Sequence, residues 1–199
     1  MKILNSVFPA LAIVFCSLQA DAQKIKTSSG NPDILKTETT VNIEFVYENI
    51  SVGKFSKEED YVKTKTEEYN KKEPGKGDAW AKSWYSDRQS RYEPKFIELF
   101  TLTSGMMVNK DAKYTLVFKT KSIEPGYNVA GGMMIGGRKN ANIYGELLIV
   151  ETANRANSAT TITIENVPGG TVFGYDFDTG LRISEAYANA GKKLAKYLK

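Results

Sequence analysis

Histidine is absent from the 199-residue chain, and cysteine occurs once, at Cys16. Without an imidazole there is no Ser-His-Asp or Cys-His nucleophilic site and no histidine base, and one thiol builds neither a disulfide scaffold nor a thiolate zinc cage. The longest apolar stretch, Val7 to Phe15, is interrupted by Pro9 and falls short of the roughly 20 residues that span a bilayer. Charge of one sign is not concentrated anywhere: 27 Lys and Arg against 23 Asp and Glu leave +4, spread evenly, which predicts a solvated surface and no nucleic-acid partner.

Cys16 itself falls in a segment expected to be removed. Met1 and Lys2 give a positive start, Val7 to Phe15 an apolar stretch and Ala20-Asp21-Ala22 a small-x-small cleavage pattern, so residues 1–22 read as a signal peptide, with a retained anchor as the alternative. Phe15 before Cys16 disfavours lipoprotein processing, which wants a small residue there. The exported chain is then free of both Cys and His, with a core to be built by packing alone. Its length suits one domain burying roughly 70% of the surface of its unfolded chain.

From residue 23 to 38 the sequence is polar, with Ser28-Ser29-Gly30-Asn31-Pro32 at its centre, and predicts a flexible leader before a single domain over 39–199. Val41, Ile43, Phe45 and Tyr47 alternate as a first strand. Ser56 and Glu59 have capping-box spacing ahead of a helix over Lys57 to Lys72, for which an exposed strand is the alternative, and Asp78 is placed to cap a second helix reaching Tyr92. Pro94 opens a further helical stretch containing Phe96, Ile97, Leu99 and Phe100. Tyr114, Leu116 and Phe118 alternate in a strand that Glu124-Pro125-Gly126 closes. Asn142 to Glu151 forms the next, and the apolar run Leu147 to Val150 predicts cover on both of its faces. Thr160 to Val167 returns antiparallel. Leu181 to Leu198 is an amphipathic helix with Ile183, Tyr187, Ala190, Leu194 and Tyr197 on one face, while Ala186 and Gly191 permit close approach to the sheet. The fold class expected is α/β (α+β): a small, mixed, largely antiparallel sheet of about four to five strands covered by helices, the C-terminal helix packed on it.

Three places carry chemistry. Trp80 and Trp84 share a helical face with Arg88 one turn on and Arg91 and Tyr92 beside it, a set able to stack on a sugar or grip an acidic partner, or simply to pack the helix on the sheet. Met133 and Met134, among the glycines of Gly126 to Arg138, form either an adaptable apolar docking tip or a bulged hairpin entrance to the next strand. That glycine stretch lacks the Gly-Lys-Ser/Thr ending and the strand-to-helix setting of a phosphate loop. Glu146, Glu151, Asp176 and Asp178 are the carboxylates that could converge for acid-base hydrolysis. Asp176-Phe177-Asp178-Thr179-Gly180 has the wrong spacing for a calcium loop and reads as a carboxylate-stabilised helix start. No cofactor or metal is expected.

The glycine-rich stretch, the Tyr144-Gly-Glu-Leu-Leu-Ile-Val-Glu151 strand, the Phe173 to Gly180 turn and the helix from Arg182 through Ala195 make the last 90 or so residues resemble a family of exported bacterial domains of unknown function. That family is distantly similar to the periplasmic domain of the curli-secretion lipoprotein and to accessory lipoproteins of envelope assembly. The resemblance implies a small mixed sheet flanked by helices that works by protein contact, without the lipid-bearing cysteine common among such proteins. The function expected is therefore an exported, non-catalytic binding or assembly module of the bacterial envelope, in the periplasm or secreted, that meets another envelope protein or a glycan. A carboxylate-dependent hydrolase of glycosidase type is the alternative, and a ligand-carrying barrel is disfavoured by the strong terminal helix.

Overall fold

The computed structural model describes residues 24–128, 138–169 and 178–199, so Met133, Met134 and Asp176, like the segment read as a signal peptide, lie outside the described residues. In chain order the elements are β1 (Lys24–Gly30), a 3-10 turn (Pro32–Leu35), β2 (Thr40–Val46), β3 (Ser51–Val52), α1 (Glu58–Lys72) and α2 (Lys76–Asp87). A π-helical turn (Arg88–Tyr92) joins α2 to α3 (Glu93–Ser104). There follow β4 (Met107–Val108), β5 (Tyr114–Glu124), β6 (Tyr127–Asn128), β7 (Arg138–Lys139), β8 (Asn142–Glu151), β9 (Asn154–Pro168) and α4 (Thr179–Tyr197).

Seven strands form one mixed sheet in the order β1-β9-β8-β5-β2-β4, with β3 also beside β5, while β6 and β7 form a separate ribbon. The pairs β1/β9, β9/β8 and β8/β5 are antiparallel. Strand β2 runs parallel to β5 and to β4. Asn49, at φ 55, turns the chain between β2 and β3, so that both lie along the same edge of β5. The fold class is the α+β arrangement expected from the sequence, with a larger sheet than four or five strands.

Part of the difference is β1, which occupies residues expected to be a flexible leader. The polar composition that suggested a leader is also what an edge strand needs: Lys24, Lys26 and Ser28 are exposed, Ile25 packs against the core, and the Thr27 amide, aimed at the free edge, donates to the Tyr197 hydroxyl at 3.0 Å. Leu35, fully buried, anchors the following turn.

A second correction concerns β8. Leu147 and Ile149 are fully buried, but Glu146 and Leu148 are only partly so and Tyr144 is exposed, so helices cover one face and not both. An antiparallel meander tolerates a wet face, whereas the two-sided reading belongs to parallel sheets. Val150 makes the apolar run look continuous because the end of the β8–β9 hairpin curls over that face. There Thr152 donates its amide to the Lys113 carbonyl (2.9 Å) and meets the Thr115 hydroxyl (2.9 Å), and Arg155 grips Glu44 through two bonds of 2.6 and 2.8 Å.

The covered face is roofed by α4 and α3. Ile183, Ala186, Tyr187, Ala190 and Leu194 of α4 are fully buried, and each aliphatic side chain of Leu or Ile size so placed contributes about 1.5–3 kcal/mol. Tyr187 stacks on Tyr92 (5.1 Å between centroids) and shares a hydrogen bond of 2.6 Å with Thr120 of β5. Helix α4 crosses α3 at Gly191, where a Cβ would stand 2.2 Å from the Phe96 carbonyl oxygen. Gly191→Ala should therefore destabilise the fold by about 1–3 kcal/mol through overpacking, although alanine is the better helix former by about 1 kcal/mol. Urea denaturation followed by far-UV circular dichroism measures this, and a rise in the midpoint would contradict the close crossing.

Candidate functional site

Helices α1 and α2 form an antiparallel pair whose junction sets the site. The capping box expected of Ser56 and Glu59 is not formed: Lys57 occupies the cap position and no side chain caps α1. Its first turn instead carries Glu58, Glu59 and Asp60, which complement the helix dipole. Nor does Asp78 cap α2. Gly75, in the left-handed region at φ 83, precedes the helix, and the side-chain oxygen of Asn70 on α1 accepts from the Gly77 amide at 2.7 Å. A residue already held in one helix thus satisfies an orphan amide of the next.

Glu58 decides what becomes of the tryptophans. Its carboxylate accepts from the Trp84 indole N–H at 2.7 Å and from Arg88 Nη2 at 2.5 Å on each oxygen. The guanidinium of Arg88 also lies over the Tyr47 ring at 4.6 Å. Trp84 is 4% exposed. Of the three residues expected to offer a stacking face, Trp84 and Arg88 are therefore turned inward and engaged by Glu58. The spacing that put Trp80 beside Trp84 holds, with ring centroids 5.6 Å apart, but only Trp80 remains half-buried at the surface. Nothing in the local sequence around Trp84 points to a carboxylate so far back in the chain.

Trp80 borders a cleft of about 340 Å³ with Tyr69, Asp87, Arg91, Asp178 and Gly180. The Trp80 ring meets Tyr69 edge-on at 5.6 Å, giving one aromatic wall. The other wall is charged. Arg91 Nε lies 3.2 Å from Asp87 Oδ1, and Arg91 Nη1 donates to Asp178 Oδ2 at 2.6 Å. Asp178 is also the N-cap of α4, accepting from the Leu181 amide at 3.2 Å, as the carboxylate reading of that turn predicts. Gly180 lets the wall close, since a Cβ there would stand 2.1 Å from Asp87 Oδ2.

The π-helical turn is what brings Arg91 to Asp178. An extra residue in the helical ladder re-aims the side chains that follow it, and such turns are frequent at functional sites. Arg91 belongs to the aromatic and guanidinium set visible in the sequence, whereas Asp87 does not, since it needs the π turn and the α4 start to acquire a role. Glu146 and Glu151 do not converge. Glu146 pairs with Lys121 at 3.0 Å, and Glu151 lies five residues along the same strand, roughly 16 Å away. Among the described residues no group of three His, Cys, Asp or Glu side chains is placed to hold a metal ion, and no helix is long and apolar enough to cross a membrane.

The two aspartates of the cleft are tuned in opposite directions. Burial, reinforced by the Asp178 charge and only partly offset by Arg91, pushes the Asp87 carboxyl up. Burial also works upward on Asp178, yet the Arg91 hydrogen bond and the amides of Leu181 and Gly180 outweigh it and hold that carboxyl below the usual aspartate range. A depressed carboxyl stabilises the fold above its unfolded-state pKa, about 3.9, and loses that contribution as pH falls through the folded-state value. A raised one opposes folding while ionised, and the penalty disappears as pH falls below its folded-state value. Asp178→Asn should therefore flatten the loss of stability below about pH 4, and Asp87→Asn should leave stability at pH 7 unchanged or higher. Urea midpoints from pH 3 to 7 test this, and the opposite pattern would contradict the assignment.

No protein-family model matches the chain, and no curated protein matches it. Among solved structures it is similar to the PelC dodecamer from Paraburkholderia phytofirmans in two crystal forms. One, a single-site variant, has 10% identity and a TM-score of 0.33; the other has 9% identity and a TM-score of 0.35. Each alignment covers 84% of this chain and 96% of that one. At these scores the likeness carries no argument about fold or function.

Proposed function

We propose that the chain is an exported, non-catalytic binding module of the bacterial envelope that takes a glycan in the Trp80 cleft. The observation that carries this reading is the juxtaposition of a half-buried aromatic wall, Trp80 with Tyr69, and a polar wall of Asp87, Arg91 and Asp178 across one cleft. A sugar ring has an apolar face of C–H groups that stacks on an aromatic ring, and an edge of vicinal hydroxyls that donate to carboxylates and accept from a guanidinium. The aspartates are held in place by Arg91 and by the start of α4, so the polar wall is ordered before a ligand arrives.

A second reading rests on the same pair of carboxylates. A raised Asp87 and a depressed Asp178 are the division of labour of an acid and a base or nucleophile in a glycosidase. Binding is favoured because the Arg91 guanidinium stands between the two carboxylates and engages both.

Soluble oligosaccharides of envelope type, including β-linked glucans and N-acetylglucosamine oligomers, should quench the intrinsic tryptophan fluorescence on binding. Trp80→Ala should weaken that binding at least about tenfold, measured by calorimetry with the fold checked by circular dichroism. Undiminished binding would remove the cleft from consideration, and turnover of an aryl glycoside that Asp87→Asn abolishes would move the chain to the hydrolases.

A further inference from the structure

A second hollow, of about 370 Å³, opens where the turn after β3 meets α1 and the end of β5. Its walls are apolar and aromatic: Val52 and Pro125 are buried, Phe55 and Tyr61 meet edge-on at 5.8 Å, and Tyr127 stands half-exposed at the rim. This volume lies at the small end of the roughly 300–1,000 Å³ of small-molecule sites.

Which polar groups around the hollow are already engaged decides its chemistry. Lys65 pairs with Glu68 at 2.7 Å, and Lys139 pairs with Glu124 at 2.7 Å. Glu124 also accepts from the Gly126 amide at 3.2 Å, and the Thr64 hydroxyl donates to the Asp60 carbonyl at 2.8 Å. Both carboxylates are thereby neutralised by a lysine. Two groups are left. Lys54 has no carboxylate within ion-pair distance among the described residues, and its ammonium lies 5.4 Å from the centre of the Phe55 ring. Tyr61 is 8% exposed, and its hydroxyl makes no hydrogen bond to a described residue.

Both remaining groups are donors, one of them cationic, on residues that line an aromatic hollow. We propose that this hollow binds a small monocarboxylic acid with a ring-sized apolar body, the body against Phe55 and Pro125 and the carboxylate accepting from Lys54 and the Tyr61 hydroxyl. Burial, with Tyr69, Glu124 and Glu68 adding to it, holds the Tyr61 phenol far above the ordinary tyrosine range, so the hydroxyl keeps its proton and its role as donor. A neutral analogue forfeits the attraction of Lys54. A ligand of amine type would bring a second unpaired cation beside Lys54 and leave the Tyr61 hydroxyl without an acceptor.

The probe is 3-phenylpropionate, titrated calorimetrically into the full chain alongside 3-phenylpropionamide. Saturable binding of the acid, with the amide weaker by about tenfold, is expected, since a hydrogen bond to a charged group carries about that discrimination. Lys54→Gln and Tyr61→Phe should each weaken the acid about five- to tenfold, the second keeping the ring and so the packing on Phe55 and Trp80. Failure of the acid to bind, equal binding of acid and amide, or indifference to both substitutions would overturn the proposal. So would binding of a peptide ending in a free phenylalanine carboxylate where the free acid does not bind, which would make the hollow a receptor for a chain terminus.

Discussion

The Glu58 carboxylate, buried at the start of α1, is the constraint from which the helical layer takes its form. A carboxylate in that position is costly unless it is paired and hydrogen-bonded, and here the partners are the Trp84 indole and the Arg88 guanidinium. Both belong to the end of α2 and the turn after it. The pair therefore fixes the antiparallel register of α1 and α2, turns one tryptophan inward and leaves the other at the surface. The π turn that begins at Arg88 is held by the same contact, and it points Arg91 at the start of α4 and Tyr92 at Tyr187.

The two hollows are consequences of that arrangement. Tyr61 follows Glu58 by one turn on α1 and packs against both Trp80 and Trp84, so one aromatic cluster supplies a wall to each hollow. Arg182, buried near the start of α4, joins their outer ends: its Nε donates to the Pro125 carbonyl at 3.3 Å and its Nη2 to the Thr179 hydroxyl at 3.0 Å. Binding at either place would be read out through a shared frame, while the contacting groups, Lys54 and Tyr61 on one side and Asp87 and Arg91 on the other, are separate.

Much of the architecture was legible because it rests on period and spacing. Alternation marked β2 and β5, an apolar run marked β8, and the apolar stripe of α4 marked the roof; Gly191 in that stripe signalled a close approach, which is made to Phe96 of α3 and not to the sheet. What was not legible is what depends on partners distant in sequence. An edge strand such as β1 carries no apolar face strong enough to stand out from a polar leader, and the apolar run Leu147 to Val150 says nothing of the hairpin end that curls over Val150. The Trp80/Trp84 stripe was visible, but whether it faced out or in was decided by Glu58 from another helix. The cleft carboxylates Asp87 and Asp178 are joined only by a π turn, which has no signature in spacing.

The coupling between Glu58 and Arg88 tests this account most directly. A double-mutant cycle with Glu58→Ala, Arg88→Ala and the double variant, each followed by urea denaturation, isolates the pairwise contribution. A coupling of about 2 kcal/mol is predicted for a pair this buried and this close, and a value below about 0.5 kcal/mol would mean that α1 and α2 are held by packing alone.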